Sequence, residues 1–109
     1  MYVRQLTYAI DLDQSETFLM VQQHMASIYR RHGLIRFLLL AEPDTPEKIT
    51  EFQVYYDEAA YRDAAAGVAD DPLYPNLKET LNTITGGSRH VDEPHVHNLI
   101  LDVGGTARG

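Results

Sequence analysis

The side chains with most chemical reach in this 109-residue chain are five histidines and seven tyrosines; cysteine and tryptophan are absent. His24 falls on the flank of the apolar face of a helix, where an imidazole can look into a space between helix and sheet. A neutral imidazole, with an unperturbed pKa near ~6.5, can take a proton from a phenol or an acidic carbon. The same position also suits a boundary histidine held by a backbone group or water. His32 lies on the last turn of that helix, where free carbonyls and the negative helix end make capping a sufficient role. His95 and His97 alternate onto one face of a strand. Two such imidazoles clamp a metal if His90, Asp92 or Glu93 folds over them. Without a spaced third ligand the pair reads as a solvated strand end, and no metal is assigned.

Tyr8, Tyr29, Tyr55, Tyr56 and Tyr61 fall on elements that would surround a space between sheet and helices, each offering an apolar ring with a polar tip. Such a lining suits a flat aromatic or quinoid ligand whose carbonyl or phenolate is oriented by hydroxyls. It also suits tyrosines that fill a small core and reach its rim. Tyr55 and Tyr56 point to opposite faces, so only one of them can line the space. Arg4 and Arg36 each interrupt an apolar strand face, and a buried guanidinium needs a carboxylate, a ligand anion or the surface. Glu51 and Gln53 are candidate partners, and Arg4 with Glu51 is the expected salt bridge. Gly86-Gly87 and Gly104-Gly105 lack the strand-glycine-helix context of a phosphate loop, and Ser15 and Ser88 have no nearby base.

These residues are positioned by six elements. Tyr2 to Ile10 alternates as a strand. Asp13 with Glu16 forms a capping box for a helix whose apolar face runs Phe18, Val21, Met25, Ile28, Tyr29, His32, with Gly33 as its stop. Leu34 to Ala41 is nearly all apolar and reads as a strand buried on both faces. After the turn EPDTPE, Lys48 to Tyr56 alternates and returns as its hairpin partner. Asp57 caps a second helix that weakens at Gly67 and restarts at Pro72 after Asp71. Thr85 to Pro94 reads as a polar loop, and His95 to Val103 as the last strand.

The order strand, helix, strand, strand, helix, strand predicts an α+β, ferredoxin-like βαββαβ sandwich: a four-stranded antiparallel sheet with both helices on one face. Residues 1–103 form the single domain and 104–109 a flexible tail. The other sheet face has no cover in one copy, so a sheet-to-sheet homodimer is expected. Nine basic against 16 acidic residues leave a formal charge of −7, which repels phosphate backbones and anionic lipids, so neither nucleic acid nor membrane is expected as a partner. With no signal core or bilayer-length apolar run, the expected location is cytoplasmic.

Three anchors carry a resemblance: Tyr8 late in the first strand, His24 nine residues before the helix-ending Gly33, and YYDEAAYRDAAAGVADDPLY across strand, helix and Asp-Pro turn. With these, residues 2 to 103 resemble the dimeric α+β barrel superfamily, which includes the antibiotic-biosynthesis monooxygenases and the EthD-like, NIPSNAP-like and stress-responsive barrel proteins. The resemblance implies a ligand cavity between sheet and helices of each protomer and cofactor-independent oxygenation or isomerisation of an aromatic or quinoid compound. In that scheme His24 is the base, Tyr8 or Tyr55 orients the substrate, and Arg36, Tyr29 and Tyr61 contact the ligand. Haem-degrading relatives rely on a tryptophan, which this chain lacks. The alternative is a non-catalytic stress-related or carrier barrel that binds a small apolar molecule without turnover.

Overall fold

The structure is a computed structural model that describes residues 1–91 and 95–96, with His90, Val91, His95 and Val96 described by backbone pairing alone. Strand β1 (Tyr2–Ala9) leads through a 3₁₀ turn (Leu12–Gln14) into helix α1 (Ser15–Arg31). Strands β2 (Arg36–Glu42) and β3 (Thr45–Tyr55) follow as a hairpin, then helices α2 (Glu58–Ala69) and α3 (Tyr74–Thr85), and the short pairings β4 (His90–Val91) and β5 (His95–Val96). The sheet runs β2-β3-β1-β4, every neighbour antiparallel, with β5 also on β1. This is the strand order of a ferredoxin-like sandwich. The remainder of the expected last strand, including His97, lies outside the described residues.

Alternation along each strand gives the sheet two unlike faces. The register places Tyr2 opposite Tyr55, Arg4 opposite Gln53, Leu6 opposite Glu51 and Tyr8 opposite Ile49, so all eight share the helix-covered face. Phe18, Val21 and Met25 of α1 and Leu81 and Ile84 of α3 close over Leu6, Tyr8 and Ile49, while Ala64 of α2 packs with Tyr2, Leu34 and Tyr55. Phe37 and Leu39 of β2 pack against these same clusters.

Five expectations change. Asp13 does not cap the first helix: it lies inside a 3₁₀ turn that precedes α1, Asp11 caps that turn by accepting the Asp13 N–H at 3.0 Å, and α1 itself starts after Gln14 without a side-chain cap. β2 is half-buried rather than covered on both faces, since Phe37 and Leu39 face the helices while Leu38 and Leu40 stand exposed. The helix after the Asp-Pro pair starts at Tyr74, with Pro75 in its first turn, because Asp71 accepts the Leu73 N–H at 2.8 Å and closes a turn over Pro72. The loop from Thr85 is shorter than its polarity implies: Gly86 ends α3 in the left-handed region at φ 60°, and His90–Val91 already pairs with Thr7 and Leu6. α2 continues through Gly67 to Ala69, and the His32 ring at the end of α1 lies where a Cβ on Gly67 would sit. Asp57 caps α2 as expected, accepting the Ala60 N–H at 2.8 Å. Among the described residues no helix is long and apolar enough to cross a membrane.

Candidate functional site

Beneath α1, the centre of the covered sheet face is polar. Glu51 of β3 is fully buried at 0% exposure, with Gln53 at 2%, Gln22 of α1 at 1% and Tyr8 of β1 at 4%. The two Glu51 oxygens accept from five donors. Oε1 takes the Tyr8 hydroxyl at 2.7 Å, Gln22 Nε2 at 2.9 Å and Arg89 Nε at 3.2 Å. Oε2 takes Gln53 Nε2 at 2.6 Å and Arg89 Nη2 at 2.8 Å. A carboxylate that only accepts, and accepts this often, is in the hydrogen-bonding pattern of its ionised form. Arg89, on the segment between α3 and β4, supplies the counter-charge through both faces of its fork.

The cluster continues towards α2. Gln53 Oε1 accepts the Tyr55 hydroxyl at 2.9 Å and Arg4 Nη1 at 3.0 Å. The Arg4 guanidinium lies 4.3 Å over the Tyr61 ring, which stacks on Tyr2 at 5.6 Å and meets Tyr55 edge-on at 5.1 Å. One atom stands outside this arrangement: Gln22 Oε1 is buried without a donor among the described residues. Its amide cannot be turned to cure this, because the exchange would set a carbonyl against the Glu51 carboxylate. An unsatisfied buried acceptor costs roughly 1–3 kcal/mol.

Burial, the Glu51 charge and the hydrogen bond to it push the Tyr8 hydroxyl far above the ordinary tyrosine range. Burial, with Tyr29 alongside, does the same to Tyr55, and burial beside Tyr74 and Tyr61 pushes Tyr29 up to about 12. All three are neutral donors at physiological pH. Burial acts to lower the Arg89 pKa, but the Glu51 charge and hydrogen bonds outweigh it and raise the value, so Arg89 stays charged.

A separate apolar cleft of about 270 Å³ opens between the first half of α1 and the β2–β3 hairpin, walled by Ile10, Phe18, Leu19, Leu39 and Ile49, with Leu12 at its rim. A cavity of ~150 Å³ holds benzene, so this one has room for two fused rings. Phe18 is its inner wall and also meets the Tyr8 ring edge-on at 6.0 Å. The cleft and the polar cluster are therefore neighbours, sharing a boundary of Phe18 with Leu39 and Ile49, the cross-strand partners of Glu51 and Tyr8.

The residues singled out in the sequence divide accordingly. Tyr8 and Tyr55 belong to the polar cluster, and Tyr61 and Tyr29 border it. His24 stands in solvent on the outer side of α1, and Arg36 is exposed at the start of β2. Neither side chain reaches the space between sheet and helices. Arg4 pairs with Gln53 rather than with Glu51, because Gln53 is its direct cross-strand neighbour and Arg89 holds the carboxylate. Gln22 and Arg89 carry no functional signal in the sequence. Gln22 does fall on the helical stripe, four after Phe18 and three before Met25, whereas Arg89 meets Glu51 across 38 residues and leaves no local pattern.

No protein-family model and no curated protein matches the chain. Solved structures do. A variant of SnoaB, a cofactor-independent oxygenase from Streptomyces nogalater, superposes with a TM-score of 0.73 at 20% identity over 92% of this chain and 95% of that one. An uncharacterized NIPSNAP domain protein from Burkholderia xenovorans gives 0.71 at 16% identity over 94% and 100%. An antibiotic biosynthesis monooxygenase gives 0.69 at 12% identity over 91% and 100%. The chain shares the ferredoxin-like α+β fold of these structures. That identity level carries the fold, so the chemistry must be argued from the cleft and the cluster.

Proposed function

We propose that the protein is a homodimeric α+β barrel that binds a small, largely apolar aromatic molecule between its sheet and helices. The observation that carries this is the adjacency of an apolar cleft of about 270 Å³ to a buried polar cluster: Phe18 of the cleft wall touches Tyr8, and Leu39 and Ile49 of the same wall pair with Glu51 and Tyr8. An apolar body with a few convergent polar groups is the usual composition of a small-molecule site. The reaction class that fits is cofactor-independent oxygenation or isomerisation of a phenolic or quinoid ring, with Tyr8 as a neutral hydroxyl that orients the substrate. Tyr55 supports it from three hydrogen bonds away, through Gln53 and Glu51. With its ring in solvent, His24 is not the base of this scheme.

A second reading, a carrier without turnover, is favoured by one observation: Glu51 already has five donors and so is not poised to take a proton from a ligand. The two readings share the binding site and part at the chemistry. Thermal shift against a panel of phenols, quinones and naphthols, with solution mass by light scattering, tests the shared part. The expected result is a mass of twice 12.3 kDa and stabilisation by flat two-ring compounds, lost in Leu39→Lys, which puts a charge in the cleft wall. A monomer that no aromatic compound stabilises contradicts the proposal. Oxygen consumption with the best-stabilising phenol then separates oxygenase from carrier.

A further inference from the structure

Glu51 fixes which way the Gln22 amide faces. Nε2 donates to both Glu51 Oε1 and the Tyr8 hydroxyl, each at 2.9 Å. Oε1 must then point away from both, and it has no donor among the described residues although Gln22 is 1% exposed. A buried carbonyl held in one orientation by a charge behind it, and left without a donor in front, is a preformed acceptor. Gln22 also follows Phe18 by four residues on α1, so the two side chains lie one above the other on the same helical face. Phe18 walls the apolar cleft, and its ring touches the ring of the same Tyr8 whose hydroxyl Gln22 binds.

We infer that Gln22 Oε1 is the specificity-determining acceptor of the site and that Phe18 is the gate through which a ligand in the cleft reaches it. This rests on the cleft being the binding site proposed above. It adds a chemical requirement: the ligand carries a hydrogen-bond donor, a hydroxyl or N–H, on the edge of its apolar ring system. An analogue that caps the donor as an ether fits the cleft but leaves the carbonyl unpaired. Discrimination by a buried group built to hydrogen-bond one substituent is far steeper than discrimination by apolar fit.

The probes are 2-naphthol and 2-methoxynaphthalene, titrated calorimetrically into the full-length wild-type protein, into Gln22→Met and into Phe18→Leu. Wild type is expected to bind the naphthol more tightly than its ether by roughly tenfold or more. Gln22→Met, checked for its fold by circular dichroism, is expected to bring that ratio close to one while keeping affinity for the ether. Phe18→Leu is expected to speed association of both probes in stopped-flow mixing and leave their ratio unchanged. Because the wild-type ratio needs no variant, the inference remains testable if Gln22→Met fails to fold. Equal wild-type affinities overturn the acceptor role, showing that the carbonyl is satisfied by water, while leaving the binding proposal standing. An unchanged association rate in Phe18→Leu overturns the gate. Absence of binding by both probes overturns this inference together with the reading on which it rests.

Discussion

At the centre of β3 the covered and open faces differ in the opposite sense from an ordinary half-buried strand. Under the helices, β3 presents Glu51 and Gln53 at 0% and 2% exposure, joined there by Arg89, Gln22 and Tyr8. On the open face the same strand presents Phe52 and Val54, beside Leu38 and Leu40 of β2 at 41% and 53% exposure. Well-packed apolar residues in place of a buried ion pair are often neutral or stabilising, so a polar interior is hard to explain by stability alone. A contiguous apolar surface, conversely, marks a site of association. Under the proposed function the contrast separates two tasks: the covered face would hold the ligand and the open face the second copy.

The comparison breaks most readily at Arg89. Arg89→Met leaves the Glu51 charge buried without its counter-ion and is expected to cost about 3–5 kcal/mol in urea unfolding. For a domain of this size that is a large part of total stability.

Alkaline pH attacks the same face. Tyr8, Tyr29 and Tyr55 have pKa values raised by folding, so their contribution is complete below the unfolded value of about 10 and is lost as pH rises towards the folded values. Stability is expected to be flat with respect to these groups at neutral pH. Above about pH 10 it should fall by about 1.4 kcal/mol per pH unit for each of them. Urea midpoints at pH 8, 10 and 11 check the sign, and a midpoint that rises with pH in this window would refute it.

The open face answers to a different change. Phe52→Asp leaves the helix-covered cluster intact and is expected to weaken self-association by roughly tenfold or more, from the loss of one buried phenyl group. Light scattering would register a shift from twice 12.3 kDa towards 12.3 kDa at the same concentration. The smallest effect belongs to neither face. Asp57→Ala removes the α2 cap and is expected to lower stability by about 1 kcal/mol with no change in ligand affinity, read from a parallel urea and binding titration.

Element order was legible because it is written in local pattern. Alternation in β1 and β3, the 3.6-residue stripe of α1, Gly33 and the Asp57 cap all act within a few residues. The site was legible only where a residue type is conspicuous by itself, as with Tyr8 and Tyr55. Glu51 and Gln53 alternate with Phe52 and Val54, and polarity alone would turn that strand the wrong way round. What turns it is Arg89, whose approach depends on the chain after α3 folding back beside β1, a long-range event with no local signature. His24 illustrates the reverse. A histidine close to an apolar stripe looked chemical, but the stripe is centred on Gln22 and Met25, which leaves His24 in water.

The most direct test follows backbone amides by ¹⁵N–¹H NMR while 2-naphthol is titrated into the labelled protein. If the covered face is the ligand side, resonances of Phe18, Gln22, Leu39 and Ile49 shift with added naphthol, and those of Val3, Phe52 and Val54 stay where they are. Shifts confined to Val3, Phe52 and Val54, with the α1 residues silent, would place the ligand on the open face and contradict the division of tasks between the two.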